Sequence, residues 1–262
     1  MSIHQALEQL RPCTCAIGYL TKSPEESVGD LHSPSFRILG SGFLVSAGVV
    51  VTNRHVVLAL EAKIKELRLP ANRCIAQFAY GSQQVFKFLT GHGFLTNKLD
   101  KARSDIGYVS FSTQDDASHP FIKPAKTGGE LIVDVGNPVG VYGYPYGEIL
   151  HKRESGEKEI VYRFGPLLQQ GFISGMAPFD SSEMIERLLL DVRTAKGMSG
   201  CPVFDARDGT VIGIHSSGIG ADVAFAIPID TRLVDTIINI ASGRGGATGT
   251  INQHSVRRRS SL

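Results

Sequence analysis

The chain has 262 residues, 42% of them hydrophobic and 20% charged, and its 27 basic residues almost cancel its 25 acidic ones. That composition supplies a core for one large domain or two small lobes, and it excludes an intrinsically disordered chain, which holds fewer apolar residues and more net charge. No run of about 18 apolar residues occurs, which excludes a membrane-spanning helix. The charge is unevenly spread. From residue 236 onward there are four arginines (Arg244, Arg257, Arg258 and Arg259) and no acidic residue. The body that remains is slightly acidic, the opposite of a nucleic-acid-binding surface. Neither nucleic acid nor a membrane is expected as a partner.

In chain order, residues 1–20 carry Glu8 and no basic flank before a short apolar stretch, so they do not read as a secretory leader. Four cysteines (Cys13, Cys15, Cys74 and Cys201) are too few for a disulfide framework, so free thiols and a cytoplasmic setting are expected. Zinc would need further thiols or imidazoles at tight spacing, and no metal or cofactor is expected. Strand-like runs rich in Val, Ile, Phe and Tyr follow at 15–20, 42–52, 74–80, 84–89 and 106–112. A second group covers 131–135, 139–144, 160–164, 170–174, 188–193, 202–205, 210–215 and 223–227. This density of short strands argues for an all-β barrel or sandwich.

Between the groups, residues 114–129 are polar with two prolines and read as a linker. The expected organisation is a first lobe over 1–113, the linker, a second lobe over 130–242 and a disordered basic tail over 243–262. Residues 57–67 alternate charged and aliphatic side chains at a helical period. Residues 230–241 open on a capping Asp and set Leu233, Val234, Ile237 and Ile238 on one face. The glycines at 136, 140, 143 and 147 lack the Gly-Lys-Ser/Thr of a phosphate loop and read as barrel turns. The terminal Ser-Ser-Leu is a weak peroxisomal alternative, because Ser261 stands where such an address wants a basic residue.

Three segments carry chemistry. His55 follows a strand-like run in GSGFLVSAGVVVTNRHVV, Asp105 opens a strand in SDIGYVSF, and Ser199 sits in a glycine-flanked turn in TAKGMSGCPVF. A serine hydroxyl becomes nucleophilic when an imidazole takes its proton, and a carboxylate must hold that imidazole in the right tautomer. The oxyanion that forms needs fixed donors, which the N–H groups of Gly197 and Ser199 can supply from a tight turn. Gly197 and Gly200 permit that turn, since glycine reaches positive φ freely. Each residue alone is unremarkable, but the three in this order, each beside a strand, point to acyl transfer.

These segments resemble the chymotrypsin-like (trypsin-fold) serine peptidases, in particular the HtrA-type and glutamyl-endopeptidase branches. Thr52-Asn53-Arg54-His55-Val56 is similar to that branch's histidine motif, Asp105-Ile106-Gly107 to its aspartate motif, and Gly197-Met198-Ser199-Gly200-Cys201-Pro202 to its serine motif. Gly143-Tyr144-Pro145-Tyr146-Gly147, Gly171-Phe172-Ile173-Ser174-Gly175 and Ala224-Phe225-Ala226-Ile227-Pro228 are similar to three strands of its second barrel. The likeness runs from about residue 15 to 241. It implies two six-stranded antiparallel barrels with a C-terminal helix, a cleft between them, and a peptidase acting on protein or peptide through Ser199, His55 and Asp105. One departure is Cys201, where the family usually has a second glycine.

The resemblance also implies a substrate pocket formed by Thr194, His215 and Ser216, placed as in enzymes that select Glu or Gln before the scissile bond. The bland alternative keeps His215 as a satisfied interior histidine and Thr194 as an ordinary strand residue. For the whole chain, a serine endopeptidase stands against a non-catalytic binding module of the same fold. An α/β-type esterase is excluded, because Cys201 breaks the Gly-x-Ser-x-Gly elbow and helix–strand alternation is missing.

Overall fold

β-Branched and aromatic residues crowd the first half of the chain, and they form six strands that close on themselves. These are β1 (Thr14–Leu20), β2 (Phe36–Ser46), β3 (Val49–Asn53), β4 (Cys74–Tyr80), β5 (Gln83–Phe94) and β6 (Ile106–Phe111), in the order β1-β2-β3-β6-β5-β4. Every neighbouring pair is antiparallel. The structure, a computed structural model, describes residues 2–22, 36–80, 83–95, 105–113, 123–128, 132–145, 148–152, 158–162, 165–178, 185–219, 223–243 and 257–258.

The second half supplies β7 (Ile132–Val133), β8 (Pro138–Gly143), β9 (Glu148–Lys152), β10 (Lys158–Tyr162), β11 (Leu167–Ala177), β12 (Arg187–Leu190), β13 (Pro202–Asp205), β14 (Val211–Ile219) and β15 (Val223–Pro228). Six of them close a second barrel in the order β11-β12-β15-β14-β13-β8, while β9 and β10 pair as a separate hairpin. The architecture is therefore two closed six-stranded antiparallel barrels, as the sequence implied. One strand expectation changes. Residues 42–52 are a hairpin rather than one run, because the chain reverses at Gly48 with φ +73°. A Cβ there would come within 2.5 Å of the Phe111 carbonyl oxygen, so glycine is required.

Among the described residues there are three α-helices, and the first and last of them tie the barrels together. Helix α1 (Ile3–Leu10) was not foreseen, although Ser2 and Gln5 form a capping box that is legible in the sequence. Helix α2 (Arg54–Leu67) starts three residues earlier than its periodicity suggested. Helix α3 (Thr231–Ala241) is capped as expected, with Asp230 Oδ1 accepting from Leu233 N at 2.8 Å. Helix α1 lies against β8 of the second barrel, and α3 packs on β2, β3, β5 and β6 of the first. Leu7, Leu10, Leu233, Val234 and Ile237 thereby join one apolar cluster with the first barrel's Phe43, Val50, Phe78 and Ile106. The second barrel has its own core, including Val139, Val141, Ile173, Leu188 and Val203.

Of the proposed linker, 114–122 and 129 lie outside the described residues, while 123–128 is pinned to both barrels. Ala125 N donates to Leu44 O at 2.7 Å, and Val211 N donates to Lys126 O at 2.8 Å. In the basic tail, Arg257 and Arg258 pair in parallel with Ile132 and Val133 of β7. That pairing departs from the fully disordered tail expected over 243–262, whose residues 244–256 and 259–262 lie outside the described ones.

The barrels meet where β2 touches the loop before β13. Ser41 N donates to Ser199 O at 2.7 Å across that junction. Next to it, Gly200 adopts φ +89°, and a Cβ there would lie 2.2 Å from Ser41 O and 2.3 Å from Thr52 Oγ1. Gly200→Ala should therefore cost about 3 kcal/mol or more, by combining backbone strain with overpacking at a rigid contact. The measurement is the thermal midpoint, expected to fall by roughly 6–12 °C for a chain of this size. An unchanged midpoint would show that the junction yields.

Candidate active site

Strand β3 ends at Asn53, and helix α2 begins at the next residue. Asn53 occupies the N-cap position but makes no capping bond; its side-chain amide instead donates to Asp105 O at 3.1 Å. This ties the start of α2 to the residue before β6. His55, in the first helical turn, then meets Asp105 twice. Its backbone N–H donates to Asp105 Oδ1 at 3.1 Å, and its ring Nδ1 lies 3.0 Å from both carboxylate oxygens. Because a carboxylate only accepts, Nδ1 carries the hydrogen and Nε2 is the free basic position. The His55 side chain is 49% exposed, so the ring is within reach of solvent.

The second barrel completes the group. Ser216 on β14 donates from its hydroxyl to Asp105 Oδ2 at 3.0 Å. The Ser216 carbonyl in turn accepts from Ser199 Oγ at 3.4 Å, a long contact. His55, Asp105 and Ser199 are thus brought into one cluster through Ser216, although among the described residues no hydrogen bond joins Ser199 Oγ directly to His55. Ser216, expected in the substrate pocket, turns its hydroxyl to Asp105 instead.

The loop carrying Ser199 is built from two tight turns. Met198 N donates to Ala195 O at 3.1 Å, and Cys201 N donates to Met198 O at 3.0 Å. Gly197 takes φ +93° within the first of them. Among the described residues the N–H groups of Gly197 and Ser199 have no acceptor, which leaves two neighbouring donors for an incoming oxygen. Cys201, two positions beyond Ser199, is no rival nucleophile. Its thiol is fully buried, and burial pushes its pKa well above the ordinary range, so no thiolate forms. The same geometry explains this departure from a second glycine. Gly143 on β8 leaves the space, since a Cβ at Gly143 would lie 2.5 Å from that of Cys201.

His215 is 3% exposed, and its Nδ1 lies 3.2 Å from Met198 O, an acceptor, so Nδ1 bears the hydrogen. Its Nε2 is buried with no partner. The ring is therefore only half satisfied, unlike a typical interior histidine. Burial first, then the nearby His55, pushes its pKa down to about 4, with the Met198 bond opposing. Thr194 is half-buried in the segment leading to Ser199. Among the described residues no group of three or more His, Cys, Asp or Glu is arranged to hold a metal.

Sequence reasoning missed Ser41 and Thr52. Ser41 is fully buried and donates from Oγ to Gly197 O at 2.8 Å; Thr52 Oγ1 donates to Ser41 O at 2.7 Å. Polar residues in an apolar strand run were the available signal.

Comparison with known proteins agrees with this geometry. A glutamyl endopeptidase of Staphylococcus aureus (strain MRSA252) is 25% identical over 193 residues, covering 72% of this chain and 45% of the relative. The chain spans about half the length of the curated relatives it matches. The crystal structure of Deg5 superposes with a TM-score of 0.58 at 20% identity, covering 91% of this chain and 93% of that one. A serine endoprotease from Yersinia pestis gives a TM-score of 0.58 at 19% identity, covering 92% and 67%. Both likenesses establish the fold. The family model for a trypsin-like peptidase domain matches residues 40–214, a span that holds His55, Asp105 and Ser199 and ends just before His215 and Ser216. The chain belongs to the trypsin-like peptidase domain family.

Proposed function

We propose that the protein is a serine endopeptidase in which Ser199 is the nucleophile, His55 the general base and then acid, and Asp105 the carboxylate that orients it. The observation that carries this reading is the His55 Nδ1–Asp105 pair, which leaves Nε2 basic. Ser199 Oγ, held only by the long Ser216 contact, is the hydroxyl of this cluster available to it, and such catalytic hydrogen bonds commonly tighten when substrate arrives. The attack forms the Ser199 Oγ–carbon bond as the proton passes to His55 Nε2, and the amides of Gly197 and Ser199 receive the oxyanion. Collapse returns that proton to the leaving amine; a water then repeats the sequence to release the acid and free Ser199. Ser199→Ala should lose labelling by a fluorophosphonate probe and lower kcat by about three to six orders of magnitude. A variant that cleaves peptides as fast as the parent would overturn the assignment, and a parent that binds peptide without cleaving it would favour a binding module.

The finer reading is a preference for Glu, with Gln next, before the scissile bond. It is supported by the unpartnered His215 Nε2 and by the likeness to glutamyl endopeptidases. A buried polar atom without a partner rejects side chains that cannot pair with it. The tautomer adds a condition. With hydrogen on Nδ1, neutral His215 offers Nε2 as an acceptor, which suits the N–H of a glutamine amide. A glutamate carboxylate is an acceptor too, so it binds well only when Nε2 is protonated.

A bound carboxylate therefore raises the His215 pKa above its free value of about 4, and binding Glu takes up a proton. The ratio of kcat/KM for Glu over Gln peptides should rise as pH falls from 8 to 5, by up to about tenfold per pH unit. In His215→Ala the ratio should become flat with pH, and both substrates should lose more than a control peptide. Preference for Lys, Arg or large aromatics in a peptide library would remove the specificity reading and leave the peptidase reading intact.

A further inference from the structure

We propose that Ser41, on the first barrel, is the positioning residue of the oxyanion loop on the second. This inference rests on the serine-peptidase reading above. Ser41 is fully buried and all its polar atoms are hydrogen-bonded, its N–H and hydroxyl across the junction and its carbonyl within the first barrel. Its N–H donates to Ser199 O at 2.7 Å and its carbonyl accepts from Thr52 Oγ1 at 2.7 Å. Its hydroxyl accepts from Tyr144 N at 2.8 Å and donates to Gly197 O at 2.8 Å. One residue thus grips both ends of the three-residue segment Gly197-Met198-Ser199, whose first and last amides are the two candidate oxyanion donors.

The need for such a grip follows from Gly197 itself. Glycine is required there by φ +93°, but glycine is also the residue most free to leave that conformation. A turn that must keep its amide pointing outward therefore needs an external restraint on the adjoining peptides. Met198 N–Ala195 O supplies one on the inner side. The Ser41 hydroxyl supplies the other, holding the Gly197 carbonyl inward and so fixing the Gly197–Met198 peptide plane.

A hydroxyl is the group for this task, because it accepts from the Tyr144 N–H while donating to the Gly197 carbonyl. Space for it is provided by Gly143, where a Cβ would lie 3.1 Å from Ser41 Oγ. An alanine at 41 leaves a buried donor and a buried acceptor unpaired, and the loop regains its freedom.

Preorganised donors act in the transition state, so their loss lowers kcat more than it raises KM. The test compares Ser41→Ala, and Ser41→Gly as a second variant with room for a replacing water, with Thr52→Val. The last breaks the same buried knot but leaves the Ser41 hydroxyl on Gly197. Rates are read with a glutamyl para-nitroanilide peptide and as acylation by a fluorophosphonate, per titrated active site.

Both Ser41 variants should lose about 10- to 100-fold in kcat and acylation rate, with KM changed by less than about threefold. Affinity for a peptide boronic acid, whose tetrahedral adduct places an oxygen on the two amides, should fall by the same factor. Affinity for the product peptide should stay put. Thr52→Val should melt lower yet keep kcat within about threefold. Parent-like kcat and boronate affinity in either Ser41 variant would overturn the inference, as would an equal kcat loss in Thr52→Val. A parent inert to both peptide and fluorophosphonate would instead remove the underlying peptidase reading.

Discussion

One hydrogen bond between main chains, from Ser41 N to Ser199 O, joins the two barrels at the point where the candidate site is divided between them. His55 and Asp105 belong to the first barrel and Ser199 to the second, so their separation is a distance between two independently closed sheets. A net contribution of about 1 kcal/mol would be typical for one amide hydrogen bond. Here the bond is buried, and breaking it strands both partners away from water, which raises the cost. The residues around it are chosen for closeness. Gly40, Gly143 and Gly200 each lack the side chain that would push the barrels apart, and a Cβ at Gly40 would already lie 3.0 Å from Ser199 O. The junction tolerates little variation because interiors of this density have no slack.

Polarity at the junction is as deliberate as its packing. Ser41, Thr52, Asn53 and His215 are all buried among apolar neighbours. Three of them spend hydrogen-bonding capacity on the loops around the site, Asn53 on the Asp105 backbone, Ser41 on Gly197 and His215 on Met198, while Thr52 bonds Ser41 within the first barrel. Apolar residues of similar size in place of Ser41, Asn53 and His215 would fold the barrels and leave these loops to wander. The polar set contributes direction rather than bulk stability, in keeping with buried networks that specify one arrangement.

The two-barrel architecture was legible because barrel strands of four to twelve residues alternate with turns, and because the His, Asp and Ser segments are separated by ordinary strand-rich stretches. The limits are equally physical. Residues 42–52 hide a reversal, because valines on both sides of Gly48 continue the apolar pattern through the turn. Helix α2 reaches back to Arg54 because it is packed against the sheet from its first turn, whereas its periodicity becomes evident only later. Ser41 and Thr52 could not be singled out by spacing, since their partners lie 156 and 11 residues away and depend on how the sheets curl. The Ser216 hydroxyl donates to Asp105, and the sequence does not say which way a short hydroxyl on that strand turns.

Helices α1 and α3 sit on opposite barrels from those that their chain positions suggest, the first against β8 and the last on β2, β3, β5 and β6. This crossing has a consequence for synthesis. A nascent chain can form the strands of the first barrel early, but that barrel's core stays open until residues 233–237 have emerged from the ribosome and docked. Hydrolytic power, on the reading proposed here, then arrives late and all at once. On that reading, a chain made only as far as the first barrel holds His55 and Asp105 without the serine they serve.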